Sequence, residues 1–122
     1  MYNSVIVDHF TNPSNTGEIT DKDIQIKIGN SVCGDTIFID IKLDRDHIIN
    51  AKFKAYGCAT SIATADIFSE YIIGKSFKEI QDISVTERKE MLGELDPSQM
   101  HCLHILEELF TKLDEHQGDT AC

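Results

Sequence analysis

Apolar and polar residues alternate in three runs in the first half of the chain: Ile24, Ile26, Ile28; then Ile37, Ile39, Ile41, Leu43; then Ile49, Ala51, Phe53, Ala55. A period of two puts every second side chain on the same face of a β-strand. The segments between the runs, SVCGD at 31–35 and DRDH at 44–47, are short enough to be hairpin connections. The polar residues that alternate with the apolar ones, among them Gln25, Lys27, Asp40, Lys42, Lys52 and Lys54, predict an antiparallel sheet with one wet face.

Beyond residue 58 the pattern becomes helical. It predicts helices over roughly 59–73, ending at Gly74, over short stretches after Ser76 and after Ser84, and from about 97 to 115. SFKE at 76–79 and SVTE at 84–87 fit the capping box, a hydroxyl followed three residues later by Glu. Asp96 before Pro97, with Gln99 three residues on, marks the last start. On that helix Cys102, Leu106, Leu109 and Leu113 share one stripe, which sets Cys102 at the upper end of the buried face. Ahead of the strands, residues 2–11 read as a short helix, stopped near Thr11 by the turn-rich NPSNTG. The fold class that follows is α+β: a three-stranded antiparallel sheet with an N-terminal helix and C-terminal helices packed on one face.

Length and composition narrow this picture. With 122 residues and no repeat or linker, the chain reads as a single domain over 1–122, with about 116–122 as a flexible tail. The net charge of −10 argues against binding to nucleic acid or to an anionic membrane surface, since both need clustered Lys and Arg. No apolar run approaches the ~20 residues that cross a bilayer, and MYNSVIVDHF lacks a basic leader followed by an apolar stretch. These features predict a cytoplasmic protein. In that setting four cysteines favour metal or redox chemistry over a disulfide framework.

Three of those cysteines stand where the predicted structure changes. Cys33 lies in the turn GNSVCGD, Cys58 follows Gly57 where a strand hands over to a helix, and Cys102 sits in the early turns of the last helix. Thiolate is the ligand and the nucleophile, and a helix N-terminus favours it. Three thiolates with one further donor, from Asp35 or His101, would complete a tetrahedral shell for zinc or for cluster iron. A buried cysteine is more often a small hydrophobe, Asp35 would also serve as a turn residue, and His101 as a surface histidine. His9, His47, His104 and His116 have no comparable context and are read as carrying no special chemistry. Cys122 reads as an incidental thiol in the polar tail. There is no CxxC, GxGxxG, phosphate loop or GxSxG.

The spaced motifs VIVDHFTNPSNTG at 5–17, VCGD at 32–35, FKAYGCATSIATA at 53–65, GKSFKEIQDI at 74–83 and MHCLHILEE at 100–108 resemble, in order and nearly end to end, the IscU iron–sulfur cluster assembly scaffolds, also found as the N-terminal domain of NifU. The resemblance implies a scaffold and carrier protein and not an enzyme. It would take sulfur from a pyridoxal-phosphate cysteine desulfurase, combine it with iron, hold a transient 2Fe-2S cluster, and pass it to apo acceptor proteins. Carried over residue by residue, Cys33, Cys58 and Cys102 match the family cysteines, Asp35 the aspartate associated with cluster lability, and His101 the histidine beside the third cysteine. The family also suggests Cys102 as the persulfide acceptor, and its early helical turn is expected to expose the thiol to a partner. Zinc is expected as a possible occupant of the cluster-free form.

This chain departs from the family in two places. Where many bacterial members carry a LeuProProValLys chaperone-docking segment, it has LDPSQ at 95–99, which argues against dependence on the dedicated chaperone. The glycine common after the second cysteine is Ala59. Two rival readings are a zinc-dependent sulfur relay of the SufU type, whose members carry an insertion between the second and third cysteines, and a binding module with a structural zinc. The iron donor, the acceptors, the fourth ligand in each state, and the choice between a monomer and a cluster-linked dimer are left open by the residues.

Overall fold

The computed structural model describes residues 4–30, 35–57, 59–95 and 100–115, and excludes the side chains of Asn30, Asp35 and His101. The expected tail lies outside the described residues. The elements are α1 (Ser4–Thr11), β1 (Ile24–Asn30), β2 (Asp35–Asp44), β3 (His47–Tyr56), α2 (Ala59–Ile72), α3 (Phe77–Gln81), α4 (Val85–Met91) and α5 (Met100–Glu115). The strands form an antiparallel sheet in the order β1-β2-β3. The α+β architecture is therefore as the periodicity predicts.

Ile24, Ile26 and Ile28 of β1, Ile37, Ile39 and Ile41 of β2, and Ala51 and Phe53 of β3 are buried on one face. Helix α2 packs across β2 and β3 there, while α5 packs against α2 and β1. Helix α2 is enclosed on nearly all sides, by the sheet, α1 and α5, and ten of its fourteen residues are buried. It is the hub of the molecule, and the side chains it buries include Thr60, Ser61, Thr64, Asp66 and Ser69.

The structure corrects the strand reading in two places. Ile49, expected inward, is 51% exposed, and Ile48 is buried in its stead. The cause is a register shift: Lys42 pairs with Asn50 but Leu43 pairs with Ile48, so Ile49 is the extra residue of a β-bulge. One inserted residue reverses the facing of everything before it. The second correction concerns the wet face. Asp40 is buried, because the segment before β1 folds over it: Asp40 Oδ2 accepts from the Ile19 backbone N–H at 3.1 Å and Oδ1 from Gln25 Nε2 at 2.9 Å.

Helix ends follow local chemistry. Ser76 forms the full capping box, its Oγ accepting from the Glu79 backbone N–H and its own N–H donating to the Glu79 carboxylate. Those bonds to the carboxylate hold the Glu79 carboxyl below the ordinary range. Ser84 makes only the first half of the motif, accepting from Glu87 N–H. Helix α2 stops before Gly74, whose φ of 87° suits a residue without a Cβ. The proposed start at 96–99 lies outside the described residues.

Candidate functional site

The sheet register brings two cysteine-bearing connections to one end of the molecule. Asn30 pairs with Asp35 at the end of the β1–β2 ladder, and Thr36 pairs with Tyr56 at the end of the β2–β3 ladder. Asn30 and Asp35 bracket the connection that carries Cys33, while Gly57 and Ala59 bracket Cys58. Both connections therefore leave the sheet from the same end. Gly57 has φ 144°, a backbone conformation that side chains rarely allow, and it turns the chain from β3 into α2 within two residues. This is the physical role of the glycine before Cys58. The surface beside the turn is apolar, with Tyr56 and Phe10 well exposed around a groove that also includes Pro13, Ala55 and Ile62.

Cys33 and Cys58, like Cys122, lie outside the described residues, as do the side chains of Asp35 and His101. Cys102 is described. It lies in the first turn of α5 and is fully buried, as are Leu106 and Leu109 on the same stripe, with Leu113 1% exposed. The stripe is as expected. The exposure expected of its first member is not, because the inward face of α5 runs through to its first turn and α5 is packed on α2 and β1.

Sequence reasoning missed a second cluster. Among the described residues, His9, Asp66 and Glu70 bring potential metal-ligating atoms within 4.8 Å of one another. His9 was read as ordinary, yet its Nδ1 lies 2.6 Å from Oδ2 of the fully buried Asp66. Asp66 Oδ1 accepts from Ser14 N–H at 2.9 Å, Asn15 N–H at 3.0 Å and Asn15 Nδ2 at 3.2 Å. The available signal was an acidic residue flanked by Ala65 and Ile67 in the middle of a long helix, since a buried carboxylate requires donors from elsewhere in the fold.

The α+β fold thus brings two cysteine-bearing connections to one end of its sheet, with a third cysteine on α5, which packs against α2 and β1. Residues 1–117 match the model of the NifU-like N-terminal domain, and the chain belongs to that family. It is 40% identical over 105 residues to iron–sulfur cluster assembly scaffold protein IscU 1 of Archaeoglobus fulgidus, covering 86% of this chain and 69% of that protein. It is 37% identical over 111 residues to the IscU scaffold protein of Haemophilus influenzae, covering 88% of this chain and 87% of that one. Among solved structures, the fold is similar to a Fervidobacterium islandicum protein described as a cluster assembly scaffold for the SUF system. That match has a TM-score of 0.66 at 23% identity and covers 93% of this chain and 94% of the other. At that identity the likeness concerns the fold alone.

Proposed function

We propose that this protein is a scaffold on which a 2Fe-2S cluster is assembled from iron and desulfurase-derived sulfur and from which it is transferred to apo acceptor proteins. Family membership over nearly the whole chain is the observation that carries this reading, and the resemblance of the motifs matches Cys33, Cys58 and Cys102 to the family's cysteines. The register that sends the Cys33 and Cys58 connections off one end of the sheet supports it.

The three thiolates supply soft donors to the iron, and Asp35 or His101 supplies the fourth. A hard carboxylate among thiolates is a weak corner of the shell, which suits a carrier that must let its cargo go. Cys102 receives the sulfane sulfur: its thiolate attacks the persulfide of the desulfurase, a new S–S bond forms on Cys102, and the donor cysteine leaves as thiolate. Because Cys102 is buried, this attack requires a local opening of the first turn of α5.

Among the described residues, α3 and α4 are the only elements between α2 and Leu95. Anaerobic incubation with ferrous iron, cysteine and a desulfurase tests the reading. A scaffold develops a sulfide-containing chromophore and then activates an apo-ferredoxin, whereas a structural zinc module does neither. In the same assay Asp35→Ala should hold its cluster longer against a chelator, and equal or faster loss would remove Asp35 from the release step.

A further inference from the structure

The His9, Asp66 and Glu70 cluster lies toward the far end of α2 from its start beside residue 58. Glu70 is eleven residues beyond the start of α2, which corresponds to roughly 16 Å along the helix axis. His9 comes from α1, and Asp66 and Glu70 stand four residues apart on α2, so they are neighbours on one face.

The hydrogen bonds of Asp66 define the state of the imidazole. Its Oδ1 is occupied by three N–H donors, and its Oδ2 faces His9 Nδ1. A carboxylate in that position accepts, so Nδ1 carries a proton and Nε2 is the ring atom left to meet a further partner. Nε2 lies 3.6 Å from Glu70 Oε2, too far for a good hydrogen bond. That separation suits two ligands of one metal ion: at metal–ligand distances of about 2.1 Å, a tetrahedral angle sets them roughly 3.4 Å apart. A carboxylate behind a histidine, fixing its tautomer and raising its basicity, is the usual outer partner of a metal-bound imidazole. His9 is 23% exposed and Glu70 61%, so water has access to the remaining coordination positions.

We propose that His9 Nε2 and the Glu70 carboxylate bind a first-row divalent transition metal ion, with Asp66 as the residue that positions His9. The mixed nitrogen and oxygen donor set favours such ions over calcium or magnesium, which prefer all-oxygen shells. The bound ion ties α1 to α2 at a point independent of the cysteines. The inference stands apart from the scaffold reading, and each can fail without the other.

Manganese(II) is the probe that separates this site from the thiolates, because among first-row divalent ions it is suited to carboxylate donors and not to soft thiolates. In the full chain, NMR signals of His9 and of residues 66–70 should broaden at the lowest manganese concentrations, ahead of signals from Met100–Glu115. Glu70→Gln, at an exposed position, should raise the concentration needed for half-broadening of His9 by tenfold or more, and Asp66→Asn by about 10- to 100-fold. Should Asp66→Asn fail to fold, Glu70→Gln carries the test alone. Unchanged broadening of His9 in Glu70→Gln, or broadening that begins elsewhere on this acidic surface, would overturn the proposal.

Discussion

The carboxylate of Asp66 meets the imidazole of His9 at 2.6 Å across 57 positions of sequence, and the turn that follows α1 holds that carboxylate. The same carboxylate binds the backbone of Ser14 and Asn15, and Asn15 in turn accepts through its carbonyl from Phe53 N–H at 2.8 Å. Helix α1, the NPSN turn, β3 and α2 are thus joined through one buried side chain. Asp66→Ala leaves several buried donors without an acceptor and should cost about 3 kcal/mol of stability in denaturant titration. A loss under 1 kcal/mol would show that this network does not hold α1 in place.

The bulge at Ile49 yields a paired prediction. Ile48 is fully buried and Ile49 is the exposed extra residue. Ile48→Ala should lose about 2–4 kcal/mol, while Ile49→Thr should stay within about 0.5 kcal/mol of the parent. Equal costs at the two positions would contradict the register.

These two cases show what the sequence reveals and what it hides. Periods of two and 3.6, Gly74 after α2 and the Ser76 capping box are local signals, and the structure follows them. The β3 alternation fails at Ile49 because two adjacent isoleucines give the pattern two possible phases, and only pairing with Lys42 and Leu43 selects one. Asp40 reads as a solvent-facing residue since the cover over it, at Ile19, is contributed by irregular chain. His9 is opaque for the same reason: its partner is on another helix. At the cysteines, Cys33 and Cys58 lie outside the described residues, whereas the burial of Cys102 depends on how far the packing of α5 extends toward its start.

The Ser76 cap provides a pH dependence. Glu79 is held below its ordinary value by hydrogen bonds from Ser76, so its charged form is favoured by folding. Its contribution is fully present above the ordinary carboxylate value and is lost as pH falls through that value and then the lower folded one. Glu79→Gln should therefore flatten part of the acid limb of a stability-against-pH curve while changing little near neutrality. An unaltered acid limb would remove Glu79 from that dependence.

Burial of Cys102 predicts slow chemistry in the resting protein. Alkylation of Cys102, followed by mass spectrometry, should be at least tenfold slower in the folded chain than in the denatured one, since reaction waits on local opening. Addition of the desulfurase should speed sulfur arrival at Cys102, and a Cys102→Ser chain that still loads sulfur normally would exclude it as the acceptor.

The central claim is that Cys33, Cys58 and Cys102 together hold one iron–sulfur cargo. Its most direct test is the amount of iron and acid-labile sulfide bound per chain after anaerobic reconstitution, in the parent and in Cys33→Ser, Cys58→Ser and Cys102→Ser. The account predicts that the parent binds iron and sulfide in equal amounts and that each single substitution greatly lowers both. Full sulfide content in all three variants, or none in the parent, would contradict it.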